Sequence, residues 1–184
     1  MNDIIYINKK IFFDLTYSEG LIIIALSGML RKNNNHYFVN PNLLIYEIYE
    51  KNINRRAEKV IVDSLKAIID KQVIDPIIKY SKNDVVYNLE KLYIDDSFVV
   101  LNKGIFRKLM KVEKIDNAKL IYYYIFLLST INGKTKYGCW SQDKISEEIK
   151  IDKHSIRKYN SILEQLNILR FERHGKNGNR YFEE

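Results

Sequence analysis

Two long stretches of the chain are apolar at most positions, and the same succession of shorter patterns follows each. TYSEGLIIIALSGML (16–30) and IDNAKLIYYYIFLLSTI (115–131) predict long apolar helices, with N-cap candidates Thr16 or Ser18 and Asp116 or Asn117 ahead of the apolar runs. A polar break comes next, RKNNN in the first half and NGKTK in the second. A short extended piece follows, HYFVN or YGCW, and then a short helix after Asn40 or Ser141. A tight break leads to a second helix, and two β-branched or aromatic runs close each half. These runs meet across SKND in VIDPIIKYSKNDVVYNLE and across GKNG in ILRFERHGKNGNRYFEE, the latter a strong hairpin signal. Identity between the halves is low, so the likeness is one of plan. Between them lie an expected strand at Phe98–Leu101 and a short basic helix, dividing the chain into domains over residues 1–96 and 97–184.

The second half has the sharper pattern. A helix over about Gln142–Lys150 places Ile145 and Ile149 on its buried side, with Ser141 to cap it. Ile151-Asp152-Lys153 breaks the period, and Asp152 is set to cap a helix over about Lys153–Asn167. Ile156, Tyr159, Leu163 and Leu166 recur there at three- and four-residue steps and predict a core-facing stripe. Lys153, His154, Ser155, Arg157, Lys158 and Ser161 are left on the opposite and N-terminal surfaces, with Gln142 at the start of the preceding helix.

Charge changes the picture. The net charge is +7, and residues 1–100 hold thirteen Lys/Arg against thirteen Asp/Glu. The excess therefore lies beyond residue 100, and between Lys153 and Arg180 seven basic residues face only Glu164 and Glu172. A concentrated positive surface attracts polyanions, of which nucleic acid is the commonest. Charged residues on a helix also simply solvate it, so the helix charges alone decide nothing. Joined to a short turn and a basic hairpin they point to DNA. Two helices joined by a three-residue turn form the helix-turn-helix layout, whose second helix fits the major groove. Arg157 has the fork to read a guanine, whereas Lys153 and Lys158 suit phosphates. Arg173, Lys176, Asn177 and Arg180 around the hairpin tip suit the minor groove or flanking phosphates.

These residues resemble the winged helix-turn-helix superfamily of DNA-binding proteins, well over Ile115–Glu184 and more weakly over Asp14–Glu90. The resemblance implies a mainly α fold with small β-hairpins (α+β), built as two tandem winged-helix domains. It also implies DNA contact through Lys153–Ser161 and Arg173–Arg180. A tandem pair looks most like the initiator proteins of plasmid replication, and secondarily like regulators carried on mobile elements. Double-stranded DNA is then the expected partner, with a second copy of the chain and replication proteins as further partners. Three roles stay open: replication initiator, transcriptional regulator binding an operator as a dimer, and winged-helix module for protein interaction.

The first half carries weaker signals. Its second helix, over about Asn54–Gln72, offers Arg55, Arg56 and Lys59 near its start, while Asp63 and Asp70 offset them. It serves either base contact or a dimer interface. Lys103, Arg107, Lys108 and Lys111 on the intervening helix make a phosphate-contact strip. Tyr122-Tyr123-Tyr124 reads as core plus surface, with a dimer face as the alternative.

Other chemistry has little support in the sequence. Gly133-Lys134-Thr135 resembles the end of a phosphate-binding loop, but Leu128 stands where the upstream glycine belongs. Three isolated histidines and one cysteine, Cys139, do not complete a zinc site, and no carboxylate set suits a two-metal nuclease. Neither a cofactor nor an enzymatic activity is expected. One cysteine and the lack of a signal-peptide pattern or a bilayer-length apolar run suggest a cytoplasmic protein with no membrane partner.

Overall fold

A computed structural model describes residues 3–30, 36–50, 55–81, 84–93, 97–174 and 178–183. The chain forms two compact units, residues 1–112 and 113–184. The first contains β1 (Ile4–Asn8), α1 (Lys9–Phe13), α2 (Tyr17–Met29), β2 (His36–Val39), α3 (Pro41–Tyr49) and α4 (Arg55–Asp70). It continues with β3 (Asp75–Lys79), β4 (Val85–Asn88), a 3-10 turn (Glu90–Tyr93), β5 (Phe98–Asn102) and α5 (Lys103–Met110). The second contains α6 (Asn117–Thr130), β6 (Tyr137–Trp140), α7 (Gln142–Ile149), α8 (Lys153–Gln165), β7 (Leu169–His174) and β8 (Gly178–Glu183). Helices and small antiparallel sheets are thus mixed in both. No described helix is long and apolar enough to cross a membrane.

The division falls later than the expected 96/97 boundary. β5 pairs antiparallel with β1, with Tyr6 opposite Val100, and α5 follows β5 directly. Ladder hydrogen bonds therefore tie residues 98–102 to the N-terminal strand, an element whose pairing no local pattern announced. The charge balance moves with the boundary. Residues 1–112 hold seventeen Lys/Arg against thirteen Asp/Glu, and residues 113–184 hold thirteen against ten.

α2 and α6 are the central helices of their units. Every residue from Glu19 to Ser27, and from Leu120 to Leu127, is buried. Apolar side chains all round a helix have this destination in a globular core. Tyr122, Tyr123 and Tyr124 are consequently all buried, correcting the expectation that this run is part surface or a dimer face. The Tyr123 hydroxyl donates to Asn160 of α8, and burial raises its pKa. A capping box starts α2: the Glu19 N–H donates to Thr16 Oγ1 at 3.4 Å and the Thr16 N–H to Glu19 Oε2 at 2.8 Å. Asp116 caps α6 by accepting from the Lys119 N–H at 3.1 Å.

The two units share their plan down to single residues. The sheet orders, β2-β4-β3 and β6-β8-β7, are the same. The first short helix of each pair ends on a left-handed residue, Glu50 (φ 54°) or Lys150 (φ 56°). The longer helices are followed by Gln72 (φ 57°) and Asn167 (φ 52°). Beyond these, the Val73 N–H donates to Ile68 O at 3.0 Å and the Ile168 N–H to Leu163 O at 2.9 Å, the same closing bond. Aligned on those caps, buried Ile61 and Ile68 of α4 fall on buried Ile156 and Leu163 of α8. The expected tight break between the helices spans residues 150–152 in the second unit. Its counterpart in the first falls on residues 51–54, outside the described residues.

Candidate nucleic-acid interface

α8 is set in place by its ends and its stripe. Asp152 accepts from the Ser155 N–H at 2.9 Å and from the Ser155 hydroxyl at 2.6 Å. Together these bonds hold the Asp152 carboxyl below its ordinary pKa. Ile156, Tyr159 and Leu163 are buried, and Leu166 is half-buried as the C-cap. This phase leaves Lys153, His154, Arg157, Lys158 and Ser161 exposed and Ser155 half-buried. The predicted outward set is therefore one continuous surface on the first three turns of α8. Its seat on α7 comes from Ile145 and Ile149, both buried, and from Ser141, whose Oγ accepts from the Lys144 N–H at 3.2 Å.

The cations of this surface are held, which their spacing did not announce. Arg157 Nε donates to Gln142 Oε1 at 3.2 Å. Lys153 forms an ion pair with Asp143, the residue after Gln142. Lys158 Nζ donates to the Lys114 carbonyl at 3.2 Å, tying α8 to the segment that precedes α6. Ser161 Oγ accepts from Gln165 Nε2 at 3.4 Å. Asp143 and Lys114 were not singled out in the sequence, because contacts ten or forty-four residues apart have no periodic signature.

Of the hairpin residues, Lys176 and Asn177 lie outside the described residues, as does the side chain of Arg173, whose backbone belongs to β7. Arg180 occupies the middle strand, opposite Cys139 and Glu172, in the body of the sheet and not at its tip. Its guanidinium stacks on the Tyr137 ring, 4.7 Å from the centroid, and its buried Nε has no acceptor among the described residues. Beside it, Arg170 covers the Phe182 ring at 5.2 Å and pairs with Glu172 at 2.6 Å. The outer face of this sheet is thus a layer of arginines over aromatic rings.

The first unit presents something else. Arg55, Arg56 and Lys59 are exposed at the start of α4. With α4 aligned on α8 through their caps, Val62 falls where Arg157 stands, Asp63 where Lys158 stands and Glu58 where Lys153 stands. Only Lys59 matches a basic member of the second unit's outward set, His154. Arg55 and Arg56 lie farther N-terminal than any residue of α8. The sheet face also differs, since Phe38, Ile78 and Tyr80 are exposed, with Phe38 and Tyr80 rings 6.5 Å apart.

The strip on α5 is largely compensated. Lys103 pairs with Glu47 at 3.3 Å, while Arg107 and Lys111 share Glu50 at 2.6 and 3.0 Å. Lys111 first, and Arg107 with it, lower the pKa of the Glu50 carboxyl. Lys108 is exposed and has no acidic partner among the described residues. Of the four predicted phosphate contacts, it alone presents uncompensated charge among the described residues.

Comparison with known proteins gives a fold and no family. No protein-family model matches the chain, and no curated protein matches it. Among solved structures, the chain is similar to one described as a Pi initiator protein in complex with iteron DNA. The match has a TM-score of 0.57 and 9% identity, and it covers 97% of this chain and 96% of that one. At that identity, the likeness is one of fold over almost the whole length of both proteins.

Proposed function

We propose that the chain is a sequence-specific double-stranded-DNA-binding protein made of two winged helices, and that it initiates replication of a plasmid or mobile element. The observation that carries this reading is the outward surface of α8. It gathers Lys153, His154, Arg157 and Lys158 on the first turns of one helix, beside a sheet that bears further basic residues. Such a helix enters a major groove with its first turns toward the base edges. The fold likeness to an initiator solved with iteron DNA supports the biological role. The protein acts by binding, without catalysis or cofactor, in the cytoplasm.

In this reading the second unit reads DNA. The first supplies phosphate contacts through Arg55, Arg56, Lys59 and Lys108 and, through its exposed aromatic residues, meets a second copy of the chain or a replication protein. Selection of bound fragments from random DNA tests it: an initiator of this kind enriches directly repeated sites. Enrichment of a palindrome with half-sites one helical turn apart would instead indicate a dimeric transcriptional regulator. Failure to enrich any sequence, with no salt-sensitive binding at about 50 mM salt, would favour a protein-interaction module.

A further inference from the structure

Gln142 is the first residue of α7, at an end fixed by the Ser141 cap, and it is half-buried. Its amide oxygen takes Nε of Arg157, which stands on the second turn of an adjacent helix and is otherwise exposed. A guanidinium offers two forks, one from Nε with one Nη and one from the two Nη groups. With Nε engaged, the pair of Nη groups is the only complete fork left. Guanine presents two acceptors, O6 and N7, on its major-groove edge, and a bidentate arginine needs two parallel N–H donors aimed at them. An arginine on an exposed helix face otherwise samples many rotamers and meets phosphate as readily as base. Fixing one of them beforehand reduces the ordering cost of the specific contact. The next residue, Asp143, pairs with Lys153 on the preceding turn of α8.

On the reading that α8 enters the major groove, we infer that Gln142 is a positioning residue that commits Arg157 to end-on recognition of a guanine. It acts on sequence preference and not on general DNA affinity.

The test uses the full chain and the DNA site it selects, with every single-base-pair variant of that site, titrated at one salt concentration. Gln142→Leu is expected to lower discrimination at one guanine by about fivefold while leaving affinity for unrelated DNA and the salt slope unchanged. Gln142→Glu, whose carboxylate accepts the same bond, should keep the preference and bind every sequence more weakly. In an Arg157→Ala background, Gln142→Leu should have no further effect. The inference is overturned if Gln142→Leu keeps the parent's preference, weakens all sequences equally, or weakens the Arg157→Ala protein further, since the last outcome would mean that Gln142 touches DNA itself. If Arg157→Ala binds like the parent, the assignment of α8 as the reading helix falls as well. If Arg157→Ala loses the preference and Gln142→Leu does not, only the positioning role falls. Unchanged thermal midpoints for these surface variants exclude misfolding as the cause.

Discussion

At the scale of residues, the outward surface of α8 and the buried carboxylate of Glu19 are the two places where single side chains decide most. Arg157→Ala should weaken binding to the selected site by about 1–3 kcal/mol, the range for losing a bidentate base contact, and relax the preference at one base pair. A gel-shift titration against matched and mismatched sites measures it. Glu19 has a different task. Burial by itself would raise its pKa, but the Lys71 ammonium at 2.6 Å and the Thr16 N–H outweigh that and hold it below its ordinary value of 4.5. A carboxylate with a lowered folded-state pKa stabilises the protein fully above its unfolded value, and this contribution is lost as pH falls through the folded value. Glu19→Gln should therefore cost about 1–2 kcal/mol at neutral pH and flatten the dependence of chemical-denaturation midpoints on pH below 4.5. A midpoint that drops equally at all pH values would argue against this ion pair as the source. Thr16 was legible in the sequence as one of two cap candidates, whereas the reciprocal bond from Glu19 and its partner Lys71, fifty-two residues away, were not.

At the scale of elements, the hydrophobic periods of α7 and α8 fixed which side chains face inward, and the structure buries Ile145, Ile149, Ile156, Tyr159 and Leu163 and half-buries Leu166. Periodicity has no information on what an exposed side chain touches, and α5 illustrates the difference. As a sequence it is four cations within nine residues, Lys103 to Lys111. In the fold, the adjacent helix α3 and its C-cap bring Glu47 and Glu50 against three of them. Exposed ion pairs contribute little to stability, but they leave less net charge for a polyanion. Lys108→Ala should accordingly reduce the slope of log affinity against log salt by about 0.9, the change for one phosphate contact, while Lys103→Ala leaves it close to the parent's. Equal slopes for both variants would contradict the pairing. Strand β6 makes a second element-level demand. Gly138 lies against the Tyr181 ring, and a Cβ there would overlap it. Tyr181 is also tied by a hydroxyl contact to Thr130, and its burial pushes its pKa up to about 12. Gly138→Ala should destabilise the protein by about 1–3 kcal/mol, as overpacking a filled core does, in calorimetric or denaturant unfolding.

At the scale of the whole molecule, the same plan occurs twice with different surfaces. Strand orders and the αL residues at the helix ends match between the units, yet the position of Arg157 is occupied by a valine, Val62, in the first. Each unit has its own central helix and sheet, so residues 113–184 expressed alone should fold and melt cooperatively. A broad, non-cooperative melt by circular dichroism would count against them as an independent unit. The sequence by itself determined the order of elements from α2 onward, the caps at Ser141 and Asp152, the inward stripes and the outward set on α8, because caps and periods are local and repeat every few residues. It did not determine the boundary at 112, the strand pair β1–β5, or the partners of Arg157, Lys153, Arg107 and Arg180. Those depend on which distant segments meet, and a contact between residues far apart in the chain leaves no mark in the local pattern of either. Only the tertiary structure, which brings α3 to α5 and the start of α7 to α8, separated compensated cations from those left for another molecule.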